Sequence, residues 1–193
     1  MRKIFLLAAL IIVCIAGKSQ QYSIIIKEGR VMDPKNNIDA VMDIAINDGK
    51  IVKLAKNIDP KEGIQVVNAK GLYVTPGLVD IHSHNFFGTE PDHAYSNGLS
   101  ALPPDGFTFR TGVTTVVDAG GSGWRSFPTF KKNVIDHSQT RVLALLNIVG
   151  EGMRGGVYEQ DPSDMDSRMA ASVANKFKNY IVLVFLINIF TTP

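Results

Sequence analysis

Gly71-Leu-Tyr-Val-Thr-Pro-Gly-Leu-Val-Asp-Ile-His-Ser-His84 is the stretch on which the rest of the chain turns. Pro76-Gly77 marks a turn, and the apolar run behind it reads as a short strand over Leu78 to His84. Side chains alternate across a strand, so Leu78, Asp80, His82 and His84 share one face and Val79 and Ile81 the other. Two imidazoles two residues apart stand about 7 Å from each other along such a strand. Both can then bend onto one metal ion, and imidazole nitrogen is the commonest protein ligand for zinc and its neighbours. The bland alternative is two unrelated polar residues at a strand end. Composition speaks against it: the chain has four histidines, and two of them stand here at ligand spacing.

Outward from this stretch, the 193 residues are 45% hydrophobic and 20% charged, the composition of an ordinary globular chain with one or two small cores. The net charge of +2 and the lack of a basic stripe with interleaved aromatics predict no nucleic-acid partner. Cys14 is the only cysteine, and it falls within the N-terminal leader. Disulfides and thiolate ligands are therefore excluded from the rest of the chain, leaving His, Asp, Glu and a modified Lys as donors.

Residues 1–20 read as a secretory signal. Arg2 and Lys3 precede the apolar run Ile4 to Ile15, and Gly17 and Ser19 are small residues before a cleavage point. The run is too short for a membrane span, so no stable span is expected and the chain is read as exported, to the periplasm or beyond. An uncleaved anchor is the alternative. Residues 21–75 read as short strands: Tyr22 to Lys27, Gly29 to Asp33, Val41 to Asn47, Lys50 to Leu54, Ile64 to Asn68 and Leu72 to Val74. Asn47-Asp48-Gly49 is a hairpin signal. The predicted result is a small sheet or β-sandwich carrying no catalytic cluster.

Residues 76–193 change to strand–helix alternation, the mark of a parallel α/β sheet. A long loop, Asn85 to Leu102, carries His93. A short helix is expected over Pro103 to Thr111 and a strand over Val113 to Val117, ending at Asp118-Ala-Gly-Gly121. Ser126 and Pro128 open a helix. Arg141 to Val149 is a third strand, followed by the glycine-rich loop Gly150 to Gly156 with Arg154. Ser163-x-x-Asp166 reads as a capping box for a helix with the apolar stripe Met165, Met169, Val173, Phe177, Tyr180. Ile181 to Phe190 has the composition of a fourth, fully buried strand.

Four further residues are candidates for the mouth of this sheet. Asp80 shares the histidine face and either steadies a ligand imidazole or is a solvated strand-entry acid. Asp118 either lines the site or caps a loop. His93 either touches substrate or is a surface histidine. Arg154 either binds a substrate carboxylate or is solvated.

Val74-Thr-Pro-Gly-Leu-Val-Asp-Ile-His-Ser-His84 resembles the signature of the amidohydrolase superfamily, closest to its dihydroorotase-like and N-acyl-amino-acid deacylase branch. Thr114-Thr-Val-Val-Asp-Ala-Gly120 and Arg141-Val-Leu-Ala-Leu-Leu-Asn147 look like the second and third barrel strands of that branch. The resemblance implies an α/β fold, the N-terminal part of a metal-dependent hydrolase (β/α)8 TIM barrel preceded by a small β-sandwich segment. It also implies metal-dependent hydrolysis of a non-peptide C–N bond in a small-molecule amide, an N-acyl amino acid or a cyclic amide. His82 and His84 become ligands of one or two divalent ions, Zn2+ first and Mn2+ second. A homo-oligomer is compatible with the sequence.

The likeness also implies parts that the sequence departs from. The family carries a bridging carbamylated lysine at the end of strand four; Leu183, Val184 and Phe185 stand there instead. Its further histidines and catalytic aspartate come from later strands. Roughly 115 residues follow Gly77, against about 250 for a whole barrel, so three to four βα units are expected and no closure. The expectation is a C-terminally truncated copy, through a frameshift near Val182, with a natural short relative as the alternative. Nucleotide sequence beyond codon 193 would show barrel strands in another frame, or fail to. Phe86 stands where dihydroorotases carry arginine, which points away from dihydroorotate and towards an acyl-amino acid or another amide. The rival to an enzyme is a binding module or fragment without turnover.

Overall fold

The computed structural model describes residues 21–87, 101–153 and 161–185. Contacts divide the chain into two compact units between Pro76 and Gly77.

The first unit is built on β1 (Tyr22–Asp33), β2 (Ile38–Asn47), β3 (Lys50–Ala55), β4 (Gly63–Asn68) and β5 (Tyr73–Val74). They form one sheet in the order β3-β2-β1-β4, with β5 also paired to β1. The sequence suggests two strands over Tyr22 to Asp33, whereas the chain makes one. Glu28 takes a positive φ of 59°, and the β1–β2 register shifts between Ile26 and Gly29. The break is a bulge that bends the strand without ending it. The hairpin forms as expected: Asn47 pairs with Lys50, and Asp48 and Gly49 both have positive φ, as a tight primed turn requires. Tyr22, Ile25, Ala45 and Ile58 make the core of this unit.

The second unit holds β6 (Leu78–Ser83), β7 (Val113–Gly123), β8 (Arg141–Asn147) and β9 (Ile181–Phe185), all parallel and in that order. Helices α1 (Phe127–Asn133) and α2 (Ser167–Lys176) pack on it. Parallel neighbours need crossovers, and helices supply two of them. On β8 the alternation is plain: Val142, Ala144 and Leu146 are buried, and they share a core with Phe127 and Phe130 of α1 and Ala170 of α2. Phe86, just past β6, joins them, its ring 4.9 Å from that of Phe130.

Local details depart from the sequence reading. Pro103 to Thr111 forms two 3-10 turns, Pro104–Gly106 and Phe109–Thr111, in place of a helix. Gly106 within the segment and Gly112 at its end, the latter at φ 75°, disfavour a continuous helix there. β7 runs on to Gly123. Ser163 does not cap α2; Asp166 does, its Oδ1 accepting the N–H groups of Arg168 and Met169 at 2.9 Å. Of the expected stripe, Val173, Phe177 and Tyr180 pack on the core and Met169 is exposed, while Ala170 and Ala174 complete the buried face.

Candidate metal site at the end of the first parallel strand

The histidine pair is delivered by a bulge. Asp80 pairs with Val116 and Ser83 with Asp118, so β6 spends one more residue than β7 over this interval. An extra residue frees an amide from the ladder and re-aims the side chains around it. The freed amide has a partner: His82 N–H donates to Asp80 Oδ1 at 3.0 Å. Asp80 thus holds the backbone of His82, not an imidazole. Strict alternation from Leu78 to His84 does not survive the bulge, and His84 lies one residue beyond the strand.

The two rings nevertheless converge. Their centroids are 5.5 Å apart, edge to face at 80°. His82 is exposed and His84 half-buried, so the pair keeps an opening to solvent. Nδ1 of His84 is buried and has no hydrogen-bond partner among the described residues. A buried imidazole nitrogen without a partner is costly unless a proton donor or a metal meets it. That atom, beside a second imidazole, fits half of a tetrahedral donor set. Among the described residues no group of three or more His, Cys, Asp or Glu converges to complete it.

Asp118 lies beneath the pair, on β7, and is fully buried. Its Oδ2 accepts the N–H of Asn85 at 2.6 Å and of Phe86 at 3.3 Å, and its Oδ1 accepts that of Gly121 at 2.7 Å. Desolvation raises its carboxyl above the ordinary value, while the Asn85 and Gly121 amides and nearby His84 pull the other way. Of the two sequence readings, the loop cap describes these bonds. His93 and Arg154 lie outside the described residues.

Other residues shaping this end of the sheet carry no obvious signal in the sequence. Ser83 Oγ reaches Val117 O at 3.1 Å and Asn85 Oδ1 at 2.6 Å, and Asn85 Nδ2 donates to Leu102 O. The hint available was their position: polar residues at 83 and 85, on the face opposite the histidines. Arg125, stacked 4.7 Å from the Trp124 ring centre, pairs with Glu151 and Asp164 and so ties the loop after β7 to the loop after β8. Gly123 lets those loops meet: a Cβ there would stand 1.8 Å from Val149 O.

A parallel strand–helix sheet with two imidazoles at the carboxyl end of its first strand is the opening part of a (β/α)8 barrel. Solved structures share it. An adenine deaminase matches with a TM-score of 0.69 and 26% identity over 84% of this chain and 40% of its own. A dihydroorotase gives 0.69 over 84% and 42%, at 24% identity, a likeness of fold. By sequence, the dihydroorotase of Streptococcus pneumoniae serotype 4 is 54% identical over 89 residues, 44% of this chain and 20% of the relative. A deacetylase of Brucella anthropi is 34% identical over 116 residues, 60% of this chain and 27% of the relative. No protein-family model matches the sequence. Over part of its length the chain is thus similar in sequence to dihydroorotases and a deacetylase, and in fold to an adenine deaminase and a dihydroorotase. It spans about a fifth to a quarter of the length of these two curated relatives.

Proposed function

We propose that this chain provides the first metal-binding strand of a metal-dependent amidohydrolase that hydrolyses a non-peptide C–N bond in a small-molecule amide. The observation that carries the reading is the approach of the His82 and His84 rings to 5.5 Å with His84 Nδ1 buried and unpartnered. His82 and His84 would hold a divalent ion, Zn2+ before Mn2+ by their donor type. Such an ion, when bound, acidifies a water and polarises the scissile carbonyl. The chain's own contribution is orientation: Asp80 fixes the His82 amide, and the core position of Phe86 anchors the segment behind His84.

Relatives named dihydroorotase and deacetylase support a cyclic amide or an N-acyl amino acid as substrate. Phe86, buried and apolar where the resemblance implies an arginine, speaks against dihydroorotate itself as the substrate. The leader, Arg2-Lys3 with its apolar run, supports export.

A second reading has an observation of its own. Two imidazoles are half a donor set, and no third ligand converges among the described residues. On that reading the chain binds metal weakly and turns nothing over by itself.

The test is a Co2+ and Zn2+ titration of the 193-residue chain, with hydrolysis of N-acetyl amino acids and of dihydroorotate followed in parallel. Binding that His82→Ala and His84→Ala each abolish upholds the metal site. A chain that takes no metal, or variants that bind as the wild type does, would sink it. Turnover decides against the second reading.

A further inference from the structure

His84 sits between two residues that are pinned from below. Ser83 pairs with Asp118 across the sheet and reaches Val117 O with its hydroxyl. Asn85 gives its backbone N–H to Asp118 Oδ2 at 2.6 Å and its side-chain N–H to Leu102 O at 3.1 Å. Leu102 N–H in turn donates to the carbonyl of His84 at 3.0 Å. The peptide groups on both sides of His84 are therefore fixed, and Asp118 is the residue on which most of that fixing converges.

Its chemistry suits the task. Both carboxylate oxygens face backbone N–H donors, from Asn85 and Phe86 on one side and Gly121 on the other. Only a group that accepts at both atoms satisfies such a cradle. An asparagine must turn its NH2 towards one of the donors and leave it unpaired in a buried place, which costs about 1–3 kcal/mol.

We infer that Asp118 is a positioning residue: it anchors the chain leaving His84 to the second parallel strand and so sets the approach of the two imidazoles. With Asp80 holding the His82 amide, the pair is clamped from both sides, one carboxylate before it and one after. The inference deepens the metal-site reading and rests on it for its functional meaning. Groups that orient metal ligands from behind typically govern metal affinity by about 10–100-fold.

The experiment uses the full chain, as wild type, Asp118→Asn and Asp105→Asn. Asp105 is the control. Its carboxylate accepts the N–H groups of Gln139 and Thr140 at 2.8 Å, ahead of β8, at the sheet end opposite the histidines. Amide exchange at Asn85, Phe86 and Gly121, ring-to-ring nuclear Overhauser contacts between His82 and His84, and Co2+ affinity are measured on each. In the wild type these three amides should be protected and the rings in contact. Asp118→Asn should speed exchange at Asn85 and Phe86 at least about tenfold, weaken the ring contact and lower Co2+ affinity about 10–100-fold. Asp105→Asn should leave affinity within about twofold.

Fast exchange at Asn85 in the wild type overturns the inference. So does an Asp118→Asn chain with rings and affinity unchanged, or an equal loss in Asp105→Asn. If the wild type takes up no Co2+ but loses ring contact on Asp118→Asn, positioning stands and the metal reading falls. Should Asp118→Asn fail to fold, wild-type exchange decides: protected Asn85 and Phe86 amides uphold the anchor, unprotected ones reject it.

Discussion

The Asp80 carboxylate accepts the backbone N–H of His82 at 3.0 Å, at the point where β6 carries one residue more than the strand it pairs with. An acid two residues before His82 is thereby tied to that histidine's main chain. Asp80→Ala removes the acceptor and leaves the bulged amide to water. The expected effect is a loss of about 1 kcal/mol in the preorganised state, or roughly fivefold in metal affinity. Thermal stability should scarcely move, because the bond is near the surface. Calorimetric titration with Zn2+ checks this, and an affinity equal to wild type would show that the bulge holds without Asp80.

Gly123 governs the neighbouring loops. A methyl group there would meet Val149 O at 1.8 Å and Gly150 O at 2.5 Å, both main-chain atoms that cannot swing aside. Gly123→Ala should force the ends of β7 and β8 apart and cost about 3 kcal/mol or more, at or above the usual range for overpacking. A melting temperature within a degree or two of wild type would mean the loops are looser than the structure shows.

These two sites mark the boundary of what the sequence discloses. The strand ending in His82 and His84 was legible because an apolar run, a Pro-Gly turn and ligand spacing coincide within a few residues. The Asp48-Gly49 turn was legible because a two-residue loop with positive φ accepts few residue types. The bulges were not. Glu28 at φ 59° is an ordinary residue inside a β-branched run, and the extra residue near His82 shows only against the register of a strand some thirty residues on. The cap of α2 was misplaced because Ser163 and Asp166 each satisfy a capping pattern, and the choice is made by the 3-10 turn at Pro162–Asp164. Asp118 could be named from its position at a strand end, but its three backbone donors come from two different segments and needed the fold.

In the first unit, Asp43 and Lys27 form a largely buried ion pair, and Asp43 also accepts the N–H groups of Glu28 and Ile58 at 2.8 Å. Burial alone would raise the Asp43 carboxyl, but Lys27 and the two amides outweigh it and hold it below the ordinary 3.8. A lowered acid contributes stability that is complete above the unfolded value and lost as the pH falls through the folded one. Unfolding midpoints of the wild type should therefore drop below about pH 4 through this group. Asp43→Asn should flatten that portion of the profile and cost about 3 kcal/mol near neutrality, since Lys27 keeps Asn57 Oδ1 and Ile58 O but loses its counter-charge, and a buried amide loses its acceptor. A mutant profile parallel to wild type between pH 2 and 5 would show that other carboxylates dominate acid unfolding.

The outer strands of the parallel sheet present apolar side chains to solvent: Ile81 of β6 is 73% exposed and Leu183 of β9 is 59% exposed. Leu78, Val79 and Val182 are likewise more than half exposed. Strands of parallel sheets are normally covered on both faces, and an apolar strand with a free edge is a template for pairing. The 193-residue chain should therefore associate with concentration and bind a hydrophobic dye. A lysine at position 79 or 183 places charge on that surface where the side chain is already mostly in water. Val79→Lys and Leu183→Lys should each change folding stability by less than about 0.5 kcal/mol, yet shift the onset of association to higher concentration. Light scattering across a dilution series reads this directly. A wild-type chain that stays monomeric and dye-silent would mean that these strands are covered in solution, and the lysines would then be expected to destabilise it.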